Sequence, residues 1–224
     1  MHIYMHSYSI EKSLDDLEIL IKKLGLRRFH LYGQSFGGIL AFEFLKRVTE
    51  QQQSPSFECL SVILSGTPTS VPMVEDVANH LLNNIKEKYK AENDIQDDEE
   101  DQVLFGELFR NEHQCRTPQM PIALQDAYAH AGKAGIWRGT SVIQDYVATP
   151  PEVQEGSKRM PSAMIIRGEH DFVTEACTEN WRTGGLFNHK FVREKVLPEC
   201  SHHVLLENGK EYGELIDSFC SEYD

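Results

Sequence analysis

The stretch Phe29-His30-Leu31-Tyr32-Gly33-Gln34-Ser35-Phe36-Gly37-Gly38 decides how this chain is read. Phe29 to Tyr32 is a short apolar, aromatic-rich run, the composition of a strand, and Gly33 ends it at a turn. From Gly37 onward, Ile39, Leu40, Phe42, Phe44 and Leu45 give a mostly buried helix that stops before Gln51-Gln52-Gln53-Ser54-Pro55. A serine on a tight strand-to-helix turn is the nucleophile-elbow arrangement. A serine hydroxyl attacks poorly unless a base takes its proton and the site holds the oxyanion that forms. The glycines two residues either side of Ser35 are expected to relieve crowding with neighbouring chain. The helix N-terminus beneath Ser35 favours negative charge, and the Phe36 N–H is placed as one oxyanion donor. A bare GxSxG also occurs in ordinary βα turns that carry an inert surface serine. The strand before and the helix after favour the elbow, with Ser35 as nucleophile and Gly33, Gln34 and Gly37 shaping its turn.

Outward from the elbow, Ser9 to Leu24 carries Leu14, Leu17, Leu20, Ile21 and Leu24 at amphipathic helical spacing, and Gly25 sits where such a helix ends. Leu60 to Leu64 is a continuous apolar strand. Helix, strand, helix and strand in alternation predict a parallel sheet with helices on both faces. From Thr67 to Tyr146 the pattern turns helical, polar and irregular, with no clear strand. Helices are expected over Val74–Tyr89, Gln102–Arg110 and Ile122–Ala131. Strand signal returns at Ala163–Ile166 and Phe191–Leu197, and Gly209–Cys220 reads as a closing helix. The division expected is an α/β core over 1–66, a helical insertion over 67–160, and the second part of the core over 161–224.

The acid of a catalytic triad should follow a later strand. Ala163 to Ile166 leads through Gly168, Glu169 and His170 to Asp171, at the strand's C-terminal end, where catalytic groups of parallel sheets gather. Glu169 is its rival within the segment and His170 a bystander. The base should follow the last strand, where Leu197 precedes Pro198, Glu199, Cys200, Ser201, His202 and His203. One of the two histidines would take the serine proton while Asp171 fixes its tautomer. Ser, Asp, His is the chain order of α/β-hydrolases. His30 alternates within a strand. His80, His113, His130 and His189 read as helix or loop surface. No HExxH motif occurs, and no metal or cofactor is expected.

Net charge is −13, which argues against a nucleic-acid partner, since phosphate binding needs clustered Lys and Arg. The run Asp97 to Asp101 reads as a solvated loop or helix start. The cysteines Cys59, Cys115, Cys177, Cys200 and Cys220 are odd in number and form no CxxC pair, which fits reduced thiols in a cytoplasmic protein. No apolar stretch is long enough for a membrane span, and Met1 to His6 lacks the features of a signal peptide.

With these segments in hand, the chain resembles the proline iminopeptidases, capped α/β-hydrolases that remove N-terminal residues, notably proline, from peptides. Gly33 to Gly38 resembles that family's GQSxGG elbow, Gly168 to Thr174 its acid turn, and Cys200-Ser201-His202 with Leu206-Glu207 its Ser-His segment. Phe109, His113, Cys115 and Arg116, followed by Pro118, resemble the FxxxHxCR signature of its cap. The resemblance implies an α/β-hydrolase fold with a helical cap, His202 rather than His203 as base, and a small peptide or acyl substrate.

Two departures qualify what it implies. The family carries early strands and an HGGPG loop, source of the second oxyanion N–H, ahead of the segment where this chain begins, and no HGGPG occurs here. The chain is therefore expected to be N-terminally incomplete, with the first part of the sheet absent. Loss of one oxyanion donor costs roughly a hundredfold to a thousandfold in rate. The family also grips the substrate ammonium with glutamates of the cap and acid turn. In one branch such a glutamate follows the catalytic aspartate, where this chain has Phe172, and the other cap segment looks shortened between Gly139 and Tyr146. Glu169 and Glu175 are the candidates to replace them.

Overall fold

The helix–strand alternation at both ends of the sequence closes into one parallel sheet. The computed structural model describes residues 9–51, 56–93, 102–130, 143–152 and 159–224. Helix α1 (Ile10–Lys23) starts at Ser9, whose Oγ accepts the Lys12 N–H at 3.2 Å, and it buries Leu14 and Ile21. It leads to β1 (Arg28–Gln34), α2 (Phe36–Glu50) and β2 (Glu58–Ser65). Between β2 and β3 (Ser162–Gly168) lie α3 (Val71–Asn93), α4 (Gln102–Phe109), a π-helical turn (Arg110–Gln114) and α5 (Ile122–His130). Short helices α6 (Glu175–Thr178) and α7 (Asn180–Thr183) precede β4 (Val192–Leu197), and α8 (Val204–Glu207) and α9 (Gly209–Ser221) follow it.

The sheet runs β1-β2-β3-β4 with every pair parallel. Parallel neighbours require crossovers, which carry the helices onto the two faces. Strand alternation divides the core accordingly. Val62, Leu64, Ala163 and Ile165 pack with α1, α2, Trp181 and Phe187, while Ile63, Met164, Ile166 and Leu197 pack with Tyr212 and Phe219 of α9. The same geometry brings the C-terminal ends of all four strands to one edge. Ser35, Gly66, Asp171 and His202 follow β1, β2, β3 and β4 in turn, so they meet there. β1 is an edge strand, and Ile19, Leu20, Leu24, Leu26 and Tyr32 on and around α1 and β1 are exposed.

β1, β2, β3 and α3 extend the expected runs by a few residues, because ladder and helix hydrogen bonds continue past the apolar positions that mark them, while α1, α4 and β4 fall a residue short at one or both ends. Helix α3 begins at Val71 rather than Val74. The short helices α6, α7 and α8 are too brief to show a periodicity in sequence. The acidic run Asp97–Asp101, Ala131, and the cap segment from Gly139 to residue 142 lie outside the described residues.

Trp181 joins segments far apart in the chain on the α1–α2 face of the sheet. It is fully buried, packs edge-on to Phe42 at 4.8 Å, and donates its Nε1–H to the Thr67 carbonyl at 2.7 Å. Trp181→Phe keeps most of the packing but leaves that carbonyl buried without its donor. It is expected to lower stability by about 1–3 kcal/mol, measured by urea unfolding followed by circular dichroism.

Candidate active site

The elbow is built by close approaches that only glycine permits. Ser35 has φ 51° and ψ −121°, in the left-handed half of the backbone map, and its N–H donates to the Ser65 carbonyl at 2.8 Å. A Cβ on Gly33 would lie 2.3 Å from the Gly37 carbonyl oxygen, and one on Gly38 would lie 1.9 Å from Thr67 Oγ1. Gly37 itself faces open space, with nothing within 4 Å of an added Cβ. This corrects the sequence expectation for Gly37: the crowding falls on Gly33 and Gly38, because the turn folds the Gly37 carbonyl back over Gly33. Phe36 opens helix α2, so its N–H stands at a helix N-terminus.

Asp171 and His202 come together on the loops after β3 and β4. Asp171 is buried, and its Oδ1 accepts from the Val173 N–H at 2.8 Å and from His202 Nδ1 at 2.9 Å. The bond on Nδ1 leaves Nε2 of His202 as the basic nitrogen. His202 is 5% exposed, and the Phe172 ring lies 4.5 Å from its own. Burial lowers the local dielectric and strengthens the attraction between imidazolium and carboxylate. Gly66 follows β2 with φ +50°, and a Cβ there would stand 2.9 Å from both Asp171 Oδ2 and His202 Nδ1. Of the predicted triad, the structure records the Asp171–His202 bond and no hydrogen bond between Ser35 and His202. Catalytic hydrogen bonds often tighten only once substrate is bound.

Ser35 is linked to the base through its neighbour. Gln34 Nε2 donates to the His202 carbonyl at 2.9 Å and approaches His203 Nδ1 at 3.3 Å. His203 does not touch Asp171. Its Nε2 pairs with Tyr128 Oη at 2.9 Å, and burial together with the neighbouring His202 pushes its pKa down to about 4.

The cap residues singled out in the sequence close around the acid turn and the histidines. Phe109 packs on His113 and on Phe172. His113, expected at the surface, is buried; its Nδ1 bonds the His170 carbonyl at 2.8 Å and its own carbonyl accepts the His202 N–H at 3.3 Å. Glu207 accepts from the Arg116 N–H and from both the N–H and hydroxyl of Ser201, while the Arg116 guanidinium pairs with Glu199 at 3.2 Å. Nothing local in the sequence marks the His113–His170, Arg116–Glu207 and Arg116–Glu199 contacts, because they join segments about 60 to 90 residues apart. Glu169 accepts the Glu199 N–H at 3.0 Å and Glu175 pairs with Arg167 at 3.2 Å. Glu169, His170 and Glu199 set three possible metal-ligand atoms within 4.8 Å of one another, but Arg116 already neutralises Glu199.

A family model described as alpha/beta hydrolase fold matches residues 2–209. No curated protein matches the chain significantly. Among solved structures, proline iminopeptidase from Mycobacterium smegmatis is 22% identical with a TM-score of 0.67, covering 100% of this chain and 76% of its own. An esterase from Exiguobacterium antarcticum is 17% identical with a TM-score of 0.61, covering 96% and 75%. A proline iminopeptidase-related protein from Thermus thermophilus is 16% identical with a TM-score of 0.60, covering 100% and 75%. The chain thus spans about three quarters of the length of these structures. Among the described residues, no helix is long and apolar enough to cross a membrane.

The depressed pKa of His203 sets a pH dependence with a definite sign. Between its ordinary value of 6.5 and about 4, the unfolded chain binds a proton there that the folded chain does not. Stability therefore falls as pH drops through that window and levels below it. His203→Gln is expected to make the loss shallower between pH 6.5 and 4, read from denaturant midpoints at a series of pH values.

Proposed function

The chain belongs to the α/β-hydrolase fold family, and from that premise we propose that it is a serine hydrolase using Ser35, His202 and Asp171. The observation that carries this reading is the buried Asp171–His202 bond beside a serine in left-handed backbone. Ser35 Oγ attacks the scissile carbonyl and His202 Nε2 takes its proton, with Asp171 holding the tautomer and stabilising the imidazolium. The Phe36 N–H meets the developing oxyanion. His202 then protonates the leaving group, and water attacks the acyl-enzyme by the reverse transfers.

The finer reading is an aminopeptidase of proline iminopeptidase type, acting on a small peptide. It is supported by the cap signature, whose His113 and Arg116 brace the acid turn and the histidine segment. A second reading, an esterase of small acyl substrates, is favoured by Phe172 directly after Asp171 and by Glu169 and Glu175 already holding partners of their own. An ammonium group enclosed without a carboxylate would be costly.

In the intact protein, Ser35→Ala is expected to abolish covalent labelling by a fluorophosphonate, which reacts only with an activated serine. Asp171→Asn should slow labelling roughly a thousandfold or more. A folded wild-type protein that resists the label would instead be a catalytically silent hydrolase-fold module. Turnover of prolyl-arylamide against p-nitrophenyl butyrate separates peptidase from esterase.

A further inference from the structure

His203 stands outside the triad, yet it touches more of the site's framework than a bystander would. Its N–H donates to the Gln114 carbonyl at 3.0 Å, and its Nε2 meets Tyr128 Oη at 2.9 Å. Gln114 and Tyr128 are two walls of a cap cleft of about 700 Å³, which Arg110 and Gln125 also line. One core residue thus holds the π-helical turn and helix α5 together at that cleft.

The direction of the hydrogen bonds follows from chemistry. The His202 carbonyl can only accept, so the Gln34 group facing it at 2.9 Å is the amide NH2. The second hydrogen of that NH2 faces His203 Nδ1 at 3.3 Å, which must then be the unprotonated nitrogen. The ring proton resides on Nε2 and is donated to Tyr128 Oη. That leaves the hydroxyl hydrogen of Tyr128 as the outer end of the chain, at a cleft whose cation is Arg110. A protonated His203 would set N–H against N–H at Gln34, and burial prevents this near neutral pH.

We propose that Gln34, His203 and Tyr128 form a one-way hydrogen-bond chain that joins the loop of the catalytic base to the cap cleft. Tyr128 and Arg110 receive a carboxylate or carbonyl oxygen of the substrate there, and His203 is a positioning residue. This rests on Ser35 and His202 acting as nucleophile and base. Gln34 holds the carbonyl of His202 and the ring of His203 with one amide, so a shift of Tyr128 is transmitted to the backbone that carries the base.

The test has an arm that needs no turnover. In protein labelled with ¹⁵N-histidine, His203 is expected as the Nε2–H tautomer at neutral pH. Its Nε2 resonance should move in Tyr128→Phe, and titration with glutarate should move it in the wild type but not in Arg110→Gln. Finding His203 as the Nδ1–H tautomer, or unresponsive to glutarate, would overturn the proposal. In the kinetic arm, p-nitrophenyl butyrate is compared with the p-nitrophenyl monoester of glutaric acid. Tyr128→Phe and Arg110→Gln should lower the preference for the acidic ester roughly three- to tenfold each, through KM. His203→Phe should lower kcat on both esters and, by freeing Tyr128 from its partner, also lower the preference for the acidic ester, so that adding Tyr128→Phe lowers that preference no further. Independent, additive losses would also overturn it. A wild type inert to both esters, to prolyl-arylamide and to the fluorophosphonate would defeat the hydrolase reading and leave the tautomer and titration to decide the chain.

Discussion

The site rests on holding one serine in a conformation its backbone does not favour. A non-glycine residue at φ 51° carries strain of order 1–3 kcal/mol and persists only where its surroundings enforce it. Here the enforcement is contact. The Gly37 carbonyl closes over Gly33, Gly38 presses on Thr67, and the Ser35 N–H is pinned to the Ser65 carbonyl of the next strand. Thr67 is held in turn by Trp181, whose indole donates to its carbonyl from the far part of the chain. The half-buried serine is held in place by a packed interior.

The second support is the shared edge of the sheet. Because the strands run in chain order and all point one way, each of the four following loops delivers its residue to the same rim. Gly66 shows how tight the rim is: its missing side chain is the space where Asp171 and His202 meet. The cap adds a brace from above, with Phe109, Phe172 and His202 in a row of tilted, touching rings. His113 belongs to that brace, which explains why a histidine in a polar-looking cap segment is buried. Its ring and carbonyl tie the loops of Asp171 and His202 to the same π-helical turn.

Much of this was legible beforehand, and the reasons are local. The elbow combines strand, glycine turn and helix within a few residues. β1, β2 and β3 are marked by apolar runs, β4 by a weaker signal interrupted by Arg193, Glu194 and Lys195, and the helices of at least eight residues by spacing. What was misread depended on neighbours far along the chain. Gly37 looked as important as Gly33, since a sequence pattern cannot tell which glycine meets another segment. His203 was separated from His202 only by resemblance, and Glu207 entered only as part of a motif with no stated task.

The sequence by itself determined the fold class, the nucleophile's turn and the places where an acid and a base would follow, because these depend on periodicity and short-range backbone constraint. Only the tertiary structure decided which histidine meets Asp171, that Gly38 rather than Gly37 is crowded, and that the cap signature is a brace. Those outcomes turn on which donor lies opposite which acceptor once strands distant in sequence lie side by side. Hydrogen bonds and close packing discriminate at a few tenths of an ångström, a scale on which chain order alone carries no information.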